Sequence, residues 1–269
     1  MTSEGERMSP SKKVLAILMA LILSSLSCIS LPYMGPYVYD PSHPALQVEG
    51  SLPYEANLLA KKVPSYNPID ISVVPFYRPA YNNRELQITT GSEWDEKLLA
   101  LTPENHKTLE EEIKEQLSLV PIEVLFIFSI RLYNMGYKDK SIFWYYTAQL
   151  YQKVFDKIVD KSALRDFTSH TAKLSRAFHY FQQKSGEWIN GYAQGYSDQY
   201  TDILNLVMYN NRMMDYEAVY PLVEFEKNGL WEQTHRRTAN NIEVFLQYLD
   251  SNREQVRRDV IGNGRGEKY

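Results

Sequence analysis

The stretch PIEVLFIFSIRLYNMGYKDKSIFWYYTAQLYQKVFDKIV, Pro121 to Val159, decides the fold. Proline suits the first turn of a helix, where the missing N–H would have no intrahelical partner. Val124, Leu125, Phe128, Leu132 and Met135 then recur at three- and four-residue spacing, the period of a helix with a buried face. Gly136 is a natural stop. A second periodic run, from about Asp139 to Val159, carries Ile142, Phe143, Tyr146, Leu150 and Val154 on its apolar side. With only about three residues between them, the two helices must fold back as an antiparallel hairpin.

Similar patterns continue on both sides. Thr102, Pro103 and Glu104 give a helix start signal, and a helix is expected from Pro103 to about Leu119. Its acids Glu110, Glu111, Glu112 and Glu115 read as a solvated face. Further helices are expected at about Lys161 to Gln182, Asp198 to Asn210 and Leu230 to Arg258. Between the first two lies GEWINGYAQGYSD, Gly186 to Asp198, whose three glycines and clustered aromatics read as a structured loop. The fold class is therefore all-α, an irregular helical bundle over residues 92–260, with a flexible tail at 261–269. Within it, RLYNMGYKDKSIFWYYTAQLYQK, Arg131 to Lys153, resembles one unit of the tetratricopeptide-like helical repeats, with Trp144, Tyr145 and the small Ala148 on its second helix. No second copy follows at a fixed period, so no repeat array is expected.

The region before the bundle has another character. Nine of the thirteen prolines fall between Pro32 and Pro79, interleaved with tyrosines, which excludes a regular helix there. Residues 28–91 read as a tether and an extended strap, with the part from about Leu46 lying against the folded body. Earlier still, VLAILMALILSSL, Val14 to Leu26, is uncharged and follows Lys12 and Lys13. A stretch of about 13 apolar residues is shorter than the roughly 20 that a membrane span needs, and it matches the apolar core of an export signal over residues 1–27.

The end of that signal, Ser25, Leu26, Ser27 and Cys28, resembles the lipobox of bacterial lipoproteins, with Ser25 standing where the family usually has leucine. The resemblance implies cleavage before Cys28, a diacylglycerol thioether on its sulfur and an acylated amino group. Several acyl chains in one leaflet make a lasting anchor, because each buried methylene contributes about 0.8 kcal/mol. In Gram-negative lipoproteins an aspartate after the cysteine favours the inner membrane. Here Ile29 follows, so the resemblance implies an outer-membrane anchor facing the periplasm. Cys28 is also the only cysteine of the 269 residues, which excludes an intramolecular disulfide framework and a multi-thiolate metal site.

Composition narrows the function. At 44% hydrophobic and 23% charged the chain has ample material for a core, and a net charge of -4 gives no basic footprint for nucleic acid. Neither a GxSxG elbow nor a P-loop occurs, and the GxGxG of Gly262, Gly264 and Gly266 has no helix after it to receive a phosphate. No two of the five histidines stand at i, i+4, and the single ExxH of Glu232 and His235 lacks the second copy of a di-metal bundle. No catalytic residue, cofactor or metal is therefore expected. Twenty-one tyrosines point instead to an interface, with Trp188, Asn190, Tyr192 and Tyr196 of the expected loop and Trp144 and Tyr145 of the hairpin as recognition candidates. The expectation is a lipid-anchored, non-catalytic protein-binding lipoprotein, one form being an immunity protein that blocks a toxic effector, another an envelope accessory factor. The alternative is an envelope hydrolase working on peptidoglycan or lipid through paired carboxylates.

Overall fold

A computed structural model describes Leu59, Lys62 and residues 93–227 and 229–262, all within the unit Pro44–Tyr269. The export signal, Cys28, nearly all of the strap and the tail beyond Gly262 lie outside the described residues. Nine α-helices are described: α1 Trp94–Leu99, α2 His106–Glu115, α3 Ile122–Asn134, α4 Lys138–Ile158, α5 Lys161–Arg165, α6 His170–Gly195, α7 Tyr200–Tyr209, α8 Tyr216–Val219 and α9 Trp231–Val260. A 3-10 turn, Leu117–Leu119, connects α2 to α3. Among the described residues there is no strand, only one antiparallel bridge between Val159 and Phe225. The architecture is an all-α irregular bundle.

The hairpin is its centre. Pro121 caps α3, its carbonyl accepting from the N–H groups of Val124 at 3.0 Å and Leu125 at 3.4 Å. At the other end Gly136 adopts φ 89°, and the chain closes with Gly136 N–H donating to Tyr133 O at 3.0 Å and Tyr137 N–H to Leu132 O at 2.9 Å. These paired bonds form a Schellman motif, which needs a left-handed residue at the glycine position. Gly136→Ala is therefore expected to cost about 1 kcal/mol, read as a lower denaturation midpoint by circular dichroism. Facing pairs run in opposite order, Phe126 against Tyr145 at 5.8 Å and Phe128 against Trp144 at 5.6 Å, as an antiparallel hairpin requires.

α3 is apolar nearly all round, and Val124 to Phe128 are fully buried. A helix of that composition belongs inside a larger body rather than on its surface. α4 packs against α3, α6, α7 and α9 and so acts as the spine of the bundle. At the described points of the strap, Leu59 joins the core and Lys62 Nζ lies 5.3 Å from the centre of the Tyr137 ring.

Three expectations change. The helix expected from Lys161 to Gln182 breaks at Asp166, whose carboxylate accepts from Thr168 N–H at 2.8 Å and forms a turn before Ser169 caps α6. The loop expected at Gly186 to Asp198 is helix as far as Gly195. Its glycines mark close approaches: a Cβ at Gly186 would lie 2.5 Å from Tyr145 Oη, and one at Gly195 would lie 2.9 Å from Val260 Cγ1. They let α6 touch α4 and α9, a gain that outweighs their low helix propensity of about 1 kcal/mol each. Third, Glu110 is buried rather than solvated, because Lys140 pairs with it and Trp144 Nε1 donates to it at 3.2 Å.

Candidate functional site

The segment expected to carry recognition divides between inside and outside. Trp144 and Tyr145 are fully buried, so they present nothing to a partner; their polar atoms bond within the fold, Trp144 to Glu110 and Tyr145 Oη to the Gln182 carbonyl at 3.2 Å. Tyr192 is buried too. Its ring and that of Tyr133 hold the Lys138 ammonium between them, each centre 5.0 Å from Nζ. Such cation–π contacts stabilise an amine that burial would otherwise discharge, and burial does push the Lys138 pKa down. Trp188 and Asn190 in the last turns of α6 and Tyr196 at its C-cap stay half-buried. They are the part of the expected surface that a partner can reach.

Asn190 also ends a chain of hydroxyls. Tyr146 Oη donates to Asn190 Oδ1 at 2.9 Å and lies 2.5 Å from Tyr200 Oη. A phenol has one proton, so Tyr200 must be the donor to Tyr146. This relay joins α4, α6 and α7, and burial raises both phenol pKa values. Below it, Arg253 of α9 donates to the carbonyls of Ala193 at 3.3 Å and Ser197 at 2.5 Å and bonds that of Gln194, a cation placed at the negative end of α6.

A second polar cluster, absent from the sequence expectations, lies at the other end of α4. Asp156 accepts from Ser175 Oγ at 3.3 Å and faces His179 Nε2 at 3.5 Å, while His179 Nδ1 lies 2.8 Å from the Ser175 carbonyl. The residue types are those of a hydrolytic triad, but the connections are not. The serine hydroxyl points to the carboxylate, and neither imidazole nitrogen is placed to take its proton. The cluster ties α4 to α6. Burial raises the Asp156 pKa.

Next to it, Lys157 Nζ donates to Thr238 Oγ1 of α9 at 3.1 Å. One turn earlier on α4, Lys153 is half-buried, and burial together with the Lys157 charge lowers its pKa to about 7. Burial and the charge of Arg237 lower that of Lys157 as well. Two lysines at i, i+4 are a like-charge pair that a helix face disfavours. That spacing was the available sequence signal; Arg237 and Thr238, some 80 residues on in α9, gave none.

One more buried carboxyl stands apart, in the first turn of α3. The Ile122 N–H donates to Tyr220 Oη at 2.7 Å, and Tyr220 Oη donates to Glu123 Oε2 at 2.8 Å. Burial raises the Glu123 pKa from 4.5 to about 7.

Among the described residues no group of three His, Cys, Asp or Glu is arranged to hold a metal. The Glu232 and His235 of the ExxH diverge: Glu232 is exposed and 3.4 Å from Arg236, whereas His235 is buried beside Tyr151. No described helix is long and apolar enough to cross a membrane. No protein family, curated protein or solved structure matches the chain.

Proposed function

We propose that this chain is a lipid-anchored, protein-binding lipoprotein of the bacterial cell envelope, held at the periplasmic face of the outer membrane through Cys28. The observation that carries the reading is the order of Lys12 and Lys13, the apolar Val14 to Leu26 and then the sole cysteine, followed at once by a proline-rich tether. A cysteine used for attachment accounts for its being alone and for its place at the end of an export signal. The helical body supports a binding role through Trp188, Asn190 and Tyr196, half-buried in the last turns of α6 and at its C-cap, since aromatic side chains give large contact area at small entropic cost. An immunity protein against a secreted toxic effector and an envelope accessory factor are the two specific forms of this reading.

Metabolic labelling with a fatty-acid precursor tests the anchor. The wild-type chain takes up label and Cys28→Ala does not; equal uptake in both overturns the anchor. For the partner, the chain is co-purified with the products of neighbouring genes. A toxin that binds it, and to which deletion sensitises the cell, supports the immunity form; deletion without sensitisation removes that form. A paired-carboxylate hydrolase gains no specific support from Glu123 and Asp156, since each is committed to hydrogen bonds within the fold.

A further inference from the structure

We propose that Lys153, Lys157, Arg237 and Thr238, on the facing surfaces of α4 and α9, form a binding site for a single oxyanionic group, a sulfate- or phosphate-like ester or a carboxylate.

Three observations converge on these residues. The first is position. Asp156 turns toward α6, where it meets Ser175 and His179, while Lys157 turns toward α9, where it meets Thr238. Residues three and four apart share a helix face, so Lys153 stands on the α4 face between those two directions, along the seam of α6 and α9.

The second is want of a counter-charge. Neither Lys153, Lys157 nor Arg237 makes an ion pair among the described residues, although other cations of the body do, including Lys97 with Glu112, Lys140 with Glu110 and Arg257 with Asp198. The acid that acts on Lys153 is Asp156, whose attraction offsets part of the loss of charge there, but its carboxyl is engaged by α6 and burial raises its own pKa. Lys157 acts on Lys153, and Arg237 acts on Lys157, as repelling neighbours. A run of like charges gathered from two helices costs stability unless an anion joins it.

The third is access and chemistry. Lys157 and Arg237 are exposed and Lys153 is half-buried, so solvent-borne groups reach the cluster. Two ammonium groups supply rotatable donors and the guanidinium a planar fork, a set suited to the several lone pairs of an oxyanion. The Thr238 hydroxyl, already paired with Lys157 and donating to the Thr234 carbonyl at 2.8 Å, holds the Lys157 ammonium in place.

Binding has a protonic signature. The ammonium of Lys153 is partly discharged near neutral pH, and an anion beside it restores the charge, so the complex takes up a proton on forming. The groups that bear on this titration are Lys157 and Asp156 on its own helix, Arg237 on α9 and His179 on α6.

The test is titration calorimetry on the full chain, with sulfate and acetate as separate probes because neither changes charge near neutral pH. Repeating each titration in buffers of different ionisation enthalpy counts the protons. The expected result is binding of at least one probe with proton uptake near pH 7. In Lys153→Met the uptake should vanish and affinity should fall about tenfold, the value of one charge-assisted hydrogen bond. Arg237→Gln, at an exposed position, should also bind about tenfold more weakly, and Lys107→Met, on the exposed face of α2, should bind as the wild type does. Circular dichroism confirms that each variant is folded. Stronger binding of sulfate than of acetate assigns an ester-type group, and the reverse assigns a carboxylate. Binding of neither probe, unchanged binding in folded Lys153→Met, or an equal loss in Lys107→Met overturns the site. The outcome is independent of the lipid anchor and of any protein partner, so it can fail without affecting either.

Discussion

Phe155→Ala is expected to be the most damaging single change in the body, lowering stability by about 3–5 kcal/mol and the melting temperature by on the order of 10 °C. Phe155 is fully buried on α4, and its ring meets Phe178 at 5.2 Å, Tyr220 at 5.6 Å, Phe225 at 5.9 Å and Tyr216 at 6.5 Å. Three of those four rings come from α8 and the segment after it, which has little helix of its own and is held by this aromatic cluster together with the Val159–Phe225 bridge and the Tyr220 hydroxyl bonds. Truncation to alanine removes the transfer free energy of the ring and leaves a cavity among aromatic side chains too rigid to collapse into it. Urea denaturation of wild type and variant measures the difference. A loss below about 1 kcal/mol would show that the segment is held by other contacts.

Glu123→Gln is expected to act in the opposite direction, with a gain that opens above about pH 4.5 and is full above about pH 7. A carboxyl whose folded pKa exceeds its unfolded value binds its proton more tightly in the folded state. With the value raised from 4.5 to about 7, the contribution of Glu123 is complete below 4.5 and is lost as the pH rises through about 7. Above that, the folded protein must bury a carboxylate beside Asp95 of α1, with the Tyr220 hydroxyl donating to it. Glutamine keeps an oxygen to accept from Tyr220 and carries no charge. The gain near pH 8 should be on the order of 2–3 kcal/mol, and near pH 4 the two proteins should be about equally stable. Denaturation midpoints measured across that range decide the matter, and curves that stay parallel at every pH would remove Glu123 as the cause.

The hairpin of α3 and α4 was legible because both of its signals are local: the helical period of Val124, Leu125, Phe128 and Leu132, and the glycine at which the chain reverses. What the sequence hid was set by distant partners. Gly186 and Gly195 look like breaks until Tyr145 and Val260 are seen where their side chains would have been. Glu110 looks solvated until Lys140, thirty residues away, neutralises it. Tyr192 and Tyr145 look like recognition residues because tyrosine serves surfaces and cores alike, and only packing tells the two uses apart. The break at Asp166 did have a local signal, since the aspartate and Thr168 two residues on form a turn of the kind such pairs favour. The apolar period on either side of it masked that signal.

The spine role of α4 bears on the order in which the body can assemble. Its pairing with α3 closes a loop of three residues, Met135 to Tyr137, and is nearly free in chain entropy. Its pairing with α9 joins Lys157 to Thr238 across 81 residues, and closure cost grows by about 0.6 kcal/mol with each doubling of the loop. During synthesis the hairpin can therefore form while much of the chain is still unmade. One flank of α4, including the lysine face that meets α9, stays open to solvent until the last of the described helices has emerged.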